Sequence, residues 1–138
     1  MRPTLAPGLN AEATLRVTAA LTVPNVSEAL EPFADMPPVF ATAFMVAHAE
    51  ATCVVCLRGH LDAGEHTVGA HVDLSHMAAT PVGMDVTASV ELVAVEKRML
   101  TFRVAVRDEA GPIGEGTHRR AVIDVARFTA KVEEKGRS

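Results

Sequence analysis

The chain has 138 residues, 49% hydrophobic but only 4% aromatic, with neither Trp nor Tyr and a formal net charge of −4. That length suits one domain around a single core, and a mildly acidic chain without a basic patch argues against a nucleic-acid ligand. No apolar run nears the ~18 residues a membrane span needs, and the opening MRPTLAPGLN lacks a signal-type apolar segment, so the expected location is the cytoplasm.

Residues 1–10 hold two Pro and a Gly and predict a loose arm. Alternation of Leu15, Val17, Ala19, Leu21 and Val23 then predicts a strand over 13–23, ended by Pro24 and Asn25. Residues 25–38 are irregular and close on Met36-Pro37-Pro38, where two prolines forbid a helix before Val39. A segment of this kind serves as a plain connection or as a lid over whatever follows.

The stretch 39–60, VFATAFMVAHAEATCVVCLRGH, is the one long helix the sequence predicts. It starts near Thr42, a favoured N-cap type, and ends near Gly59. Its apolar residues spread around nearly every face, which places it inside something. Cys53 and Cys56 form a C-x-x-C in mid-helix, away from the helix N-terminus that would activate a redox pair, and are expected to be buried filler.

Four further strands follow, over 67–80, 84–95, 100–106 and 113–125, separated by turns at Pro81-Val82-Gly83, Glu96-Lys97-Arg98 and Glu109-Ala110-Gly111-Pro112. The short connections predict an antiparallel meander. Residues 126–138 form a charged tail with room for a short helix. The whole predicts a single α+β domain over residues 1–138 with the hot-dog fold, a curved five-stranded antiparallel sheet wrapped around one long central helix. Such a sheet leaves an edge strand in need of cover, so a homodimer or a higher oligomer is expected.

Glu50 is the residue to explain, because a carboxylate in apolar surroundings is costly to ionise unless it is paired. Its spacing from Thr42 puts both on neighbouring helix faces, able to border one pocket. His76 lies in a predicted strand, where a lone histidine is more often structural. Alternation puts His71 and Asp73 on the opposite face from His76, which argues against a metal site. Gly69 is a strand glycine of the kind that marks a bulge or a close approach of backbone to ligand. Arg120 sits in the Gly-rich run Gly114 to Arg120, read either as a bent edge strand with solvated charges or as a cation reaching an anion. A carboxylate, a histidine, a hydroxyl, a strand glycine and an arginine together supply what thioester chemistry needs: nucleophile or base, proton carrier, backbone donors and a cation.

Four segments carry a family resemblance: Pro38 to Val46, Gly69 to His76, Ala78-Ala79-Thr80-Pro81, and Gly114-x-Gly116-Thr117-His118-x-Arg120-Ala121-Val122-Ile123. Over about 38–131 they resemble the fluoroacetyl-CoA thioesterase group of hot-dog proteins. The resemblance implies a dimeric acyl-CoA thioesterase with Thr42, Glu50 and His76 as the catalytic group and with Gly69 and Arg120 at substrate and CoA-binding positions. It implies no cofactor beyond the CoA of the substrate and no metal. It further implies that Glu50 attacks the thioester carbonyl, with His76 as base and acid and Thr42 orienting Glu50. The residues themselves leave open whether Glu50 is nucleophile or general base. The family's lid carries an aromatic gate where this chain has Met36, with Phe33 nearby, which implies a more flexible lid and a weaker preference for fluorine. A hot-dog acyl-CoA hydratase and a non-catalytic acyl-CoA-binding module are the alternatives, and the fold alone does not separate them.

Overall fold

The computed structural model describes residues 1–137. Its elements are β1 (Asn10–Arg16), the helix α1 (Thr42–Cys56), β2 (Glu65–His76), β3 (Asp85–Glu96), β4 (Met99–Arg107), β5 (Pro112–Asp124) and a terminal helix α2 (Val125–Gly136). The five strands form one antiparallel sheet in the order β1-β3-β4-β5-β2, and α1 packs across one face of it. This is the α+β hot-dog architecture expected above. The tail is helical as far as Gly136, and its last residue, Ser138, lies outside the described residues.

Alternation explains which side chains meet. β3 turns Val86, Ala88, Val90 and Leu92 toward α1, and β4 turns Leu100, Phe102, Val104 and Val106 the same way, all of them buried. The helix answers with Met45, Ala49, Cys53 and Cys56, a stripe at helical spacing. Fully burying side chains of this size stabilises the fold by about 1.5–3 kcal/mol each. β5 departs from the pattern. Its inward positions are Gly114, Gly116, His118, Arg120 and Val122, so the end of the sheet formed by β5 and β2 has a polar inner face.

Several expectations are corrected. The predicted strand 13–23 ends at Arg16, because β3, its only partner, begins at Asp85 directly opposite; residues 17–33 continue mainly as short 3₁₀ turns at Ala19–Leu21, Val23–Asn25 and Glu31–Phe33. The last four strands are not a simple meander. β2 ends at His76 and does not pair with β3; it crosses to β5 at the far side of the sheet, and the Pro81 turn belongs to that crossover, held to the start of α1 by the Phe40 N–H donating to the Thr80 carbonyl. Accordingly β5 lies between β4 and β2 and is no edge strand; the edges are β1 and β2.

The N-terminal residues are not a loose arm. The α-amino group of Met1 donates to Asp62 at 2.6 Å and to Glu65 at 2.5 Å, Leu5 is buried, and the Gly8 N–H donates to the Leu92 carbonyl. Nor is α1 enclosed on every face within one chain. Ala43, Ala47, Ala51, Val54 and Val55 form an exposed apolar stripe, with Val54 and Val55 each 40% exposed. Among the described residues no helix is long and apolar enough to cross a membrane.

Candidate active site

The site begins with the chain entering α1. Thr42 is the first helical residue and not the N-cap; that position is Ala41, which offers no side-chain cap. The Thr42 hydroxyl is therefore free for another partner, and Oγ1 lies 2.6 Å from Nδ1 of His76 at the end of β2. The second ring nitrogen of His76 is buried without a partner. A cavity of about 270 Å³ opens beside this pair, lined by Val23, Val39, Phe40, Thr42, His76 and Ala78. Neither Phe33, half-buried in a 3₁₀ turn, nor Met36, 46% exposed, lines that cavity.

Glu50 lies two turns further along α1, about 12 Å from Thr42 by helical rise, and belongs to a second cluster. Its Oε2 accepts from Nη1 of Arg120 at 2.8 Å and lies 3.9 Å from Nε2 of His118. Arg120 is 5% exposed, and Thr67 fixes it at two further points: Nε donates to the Thr67 hydroxyl at 2.8 Å and Nη2 to the Thr67 carbonyl at 3.0 Å. The carboxylate side chain is 37% exposed at the β2 side of the helix. A guanidinium this buried and with these partners is turned inward, toward Glu50.

Gly69 completes this cluster. A Cβ at Gly69 would stand 2.7 Å from Glu50 Oε2 and 3.5 Å from the His118 ring, so the missing side chain keeps a space open over the carboxylate. The β2–β5 register slips between Gly69 and His71, with Ala70 as the extra residue. Without that bulge Gly69 would share a face with His71 and Asp73. With it, Gly69 joins Val72, Leu74 and His76 on the face that meets α1, opposite Arg120, His118, Gly116 and Gly114 respectively. The bulge read for this strand glycine is present, and the side chain it lies close to is Glu50.

The two glycines of β5 allow the strands to close up. A Cβ at Gly116 would fall 1.9 Å from the Asp73 carbonyl oxygen, at a φ of 153°, and one at Gly114 would fall 2.5 Å from the Ser75 carbonyl and 2.9 Å from Met45 Sδ. Only glycine lets β2 lie this near β5 and hold His76 over the start of α1. His118 went without a role in the sequence reading; its signal was its place two residues before Arg120, on the same face of the strand.

Cys53 and Cys56 are free, and burial pushes the Cys53 thiol up to about 12 and raises Cys56 as well, so neither is a ready nucleophile. A larger groove, lined by Arg98, Phe128 and Lys131, contains none of the site residues.

Two clusters thus lie along one face of β2, Thr42 with His76 at one end and Glu50 with Arg120, His118 and Gly69 at the other. Residues 17–126 match the family model of the fluoroacetyl-CoA-specific thioesterase. A fluoroacetyl-CoA thioesterase of Streptantibioticus cattleyicolor is 47% identical over 103 residues, spanning 75% of this chain and 74% of that protein. A solved structure of the fluoroacetyl-CoA thioesterase superposes with a TM-score of 0.92 at 40% identity, covering 95% of this chain and 97% of the other. A threonine variant of that enzyme, in complex with acetyl-CoA, gives 0.92 at 39% identity over 95% and 98% of the two chains. A thioesterase-superfamily protein of Thermus thermophilus gives 0.87 at 28% identity over 99% and 96%. With the matched region running from the end of β1 into the first turn of α2 and taking in every site residue, the chain belongs to the fluoroacetyl-CoA-specific thioesterase family.

Proposed function

We propose that this protein hydrolyses short acyl-CoA thioesters at a site built from Glu50, Thr42 and His76 across two copies of the chain. Thioester hydrolysis is the activity of its family; the residue roles and the assembly are the proposal. The observation that carries it is the pairing of a half-exposed carboxylate with a buried arginine under a glycine gap, on the same strand face as a hydroxyl–imidazole pair.

Arg120 donates to Glu50 Oε2, the oxygen nearest the gap over Gly69, and the other carboxylate oxygen, Oε1, is the one proposed to react. The carboxylate adds to the thioester carbonyl carbon, and the C–S bond breaks to release CoA thiolate, which takes a proton from His76. Water, deprotonated by His76, then cleaves the acyl–Glu50 anhydride and returns both groups to their starting state. Glu50 acting instead as general base on water needs the same residues. Thr42 holds the His76 ring through Nδ1 and leaves Nε2, which has no other partner, for proton transfer.

Within one chain Glu50 and His76 are too far apart for this sequence. Gly69 and His76 lie roughly 20 Å apart along β2. A second copy removes the difficulty. The outer edge of β2 is unpaired by its own sheet and twelve residues long, a template for an antiparallel copy of itself. A two-fold axis near Val72 and Asp73 sets His76 of one copy across from Gly69, and so beside Glu50, of the other. The exposed apolar stripe of α1 adds surface for such a contact. The substrate is therefore an acyl-CoA held between subunits of a homodimer, with no cofactor beyond the CoA it carries, and the setting is the cytoplasm.

The test is free-thiol release from acetyl-, propionyl- and fluoroacetyl-CoA by wild type and Glu50→Gln. Loss in the variant supports the reading, and undiminished release overturns it. Mixing Glu50→Gln with His76→Ala regenerates one intact site per mixed dimer only if the two residues come from different copies. Lack of restored activity in verified mixed dimers overturns the shared site.

A further inference from the structure

The imidazole of His118 is bracketed by one group that can only accept a hydrogen bond and one that can only donate. On one side Nδ1 lies 2.8 Å from the carbonyl oxygen of His71, an acceptor. On the other Nε2 lies 3.1 Å from Nη1 of Arg120, a donor without a lone pair to give. One protonation state satisfies both: the hydrogen on Nδ1 and the lone pair on Nε2. The residue is 1% exposed, so neither nitrogen has water as a substitute. A second proton on Nε2 would set an N–H against a cation's N–H in a desolvated site. Burial, with help from the neighbouring Arg120, pushes the ring away from the imidazolium and outweighs the opposing pull of the His71 carbonyl and of Glu50.

We propose that His118 is a positioning residue for thioester hydrolysis, an imidazole whose Nε2 accepts from Arg120 and so fixes the guanidinium that holds Glu50. The proposal rests on the reading of Glu50 as the reacting carboxylate. Arg120 Nη1 carries two hydrogens, and the structure gives one to Glu50 Oε2 and the other to His118. Without the acceptor on His118, a buried guanidinium hydrogen loses its partner, which is costly. The Glu50 carboxylate, already bonded to Nη1 through Oε2, has a second oxygen to offer, and a two-point clamp there would cover the oxygen that must reach the substrate.

The other ring nitrogen acts on β2. The His71 carbonyl follows the bulged Ala70, the irregularity that swings Gly69 onto the Glu50 face. Its bond from Nδ1 of His118 stabilises the strand at that point. One side chain thus connects the bulge, the arginine and the carboxylate, and it touches no substrate.

The experiment uses full-length wild type, Glu50→Gln, His118→Phe and His118→Gln, with acetyl-CoA and fluoroacetyl-CoA as probes, together with nitrogen-15 NMR of the histidine rings. The expected spectrum has His118 protonated on Nδ1 and bare on Nε2, unchanged as exposed histidines titrate. His118→Phe keeps the ring shape and loses both bonds; kcat is expected to fall about 10–100-fold, the scale of a small misplacement of a reacting group, with KM nearly unchanged. His118→Gln, whose amide oxygen can accept from Arg120, is expected to regain most of the loss. Should His118→Phe not fold, His118→Asn, too short to reach Arg120, takes its place with the same expectation. Wild-type kcat in His118→Phe, a proton on Nε2, or folded Phe and Gln variants equally impaired would each overturn the proposal. An inactive Glu50→Gln beside a fully active His118→Phe overturns this proposal alone, whereas an active Glu50→Gln overturns the catalytic reading on which it rests.

Discussion

The guanidinium of Arg120, almost wholly buried on β5, donates from Nη1 to Oε2 of Glu50 on α1 at 2.8 Å, and this one contact ties the helix to the polar end of the sheet. It answers how a carboxylate is tolerated in an alanine-rich helix: the side chain is 37% exposed, and its Oε2 is paired with Arg120. Replacing Arg120 by Met removes this bond and those to Thr67 and His118 while keeping much of the volume. The expected cost is about 1.5–3 kcal/mol, the scale of hydrogen bonds to a charged group, with turnover lost. Arg120→Lys is expected to recover little, since one ammonium cannot reproduce the fork that meets Thr67, His118 and Glu50 together. Urea unfolding and thiol release on the same samples check both.

Thr42→Ala separates catalysis from folding. Because Ala41 and not Thr42 occupies the cap, and Thr42 is exposed, the substitution is expected to change stability by no more than ~0.5 kcal/mol. Its effect should fall on kcat, through loss of the 2.6 Å bond that sets the His76 ring. His76→Ala is expected to be harsher, by about 10²–10⁴-fold, the usual worth of positioned proton transfer. A thermal melt shifted by several degrees in Thr42→Ala would contradict this assignment of the helix start.

Gly69→Ala tests the gap over the carboxylate. Its backbone is not in the left-handed region, so alanine brings no strain of its own, but the new Cβ would stand 2.7 Å from Glu50 Oε2. Glu50 has to move, and it is half-exposed and able to. The expected outcome is a folded protein with turnover reduced by about 10²-fold, as for a small misplacement of a reacting group. A contrasting substitution, Gly116→Ala, meets the Asp73 carbonyl at 1.9 Å in the backbone itself and is expected to abolish stable folding. Circular dichroism and activity of the two variants together decide the point.

Acid sensitivity is expected from His48 and His118, each buried, with burial the main cause holding its pKa below the usual 6.5. The unfolded chain binds these protons more readily than the folded one. The stabilisation is complete above pH 6.5 and is lost as pH falls below it and through the folded-state values. The N-terminal amine holds Glu65 down to about 2, so the stabilisation from that pair is lost as pH falls from the ordinary 4.5 toward 2, below the histidine window. His48 Nε2 has no partner, so His48→Gln should flatten part of the fall in unfolding free energy between about pH 7 and pH 5. Urea midpoints across that range, at one protein concentration, measure it; a slope equal to wild type would exclude His48 as a contributor.

The sequence alone determined the inventory: a helix beginning at Thr42, and strand alternation strong enough in β3 and β4 to assign their inward faces residue by residue. Local pattern suffices there because those faces are uniformly apolar and their period is unambiguous. It also exposed Glu50 and Gly69 as anomalies. Their partner, Arg120, was legible only as a charge in a glycine-rich run, because β5 breaks the apolar period where the site lies.

Tertiary structure decided the rest. Alternation says which side of a strand is inward and nothing of which strand lies next to it, so β2 was read beside β3 when it pairs with β5. The bulge at Ala70 reverses the face that strict alternation assigns to Gly69. The hydroxyl of Thr42, read as a helix cap, is spent on a histidine 34 residues away, and Glu50 finds its cation 70 residues on. Such contacts follow from how sheet and helix meet, and no local propensity along the chain encodes them.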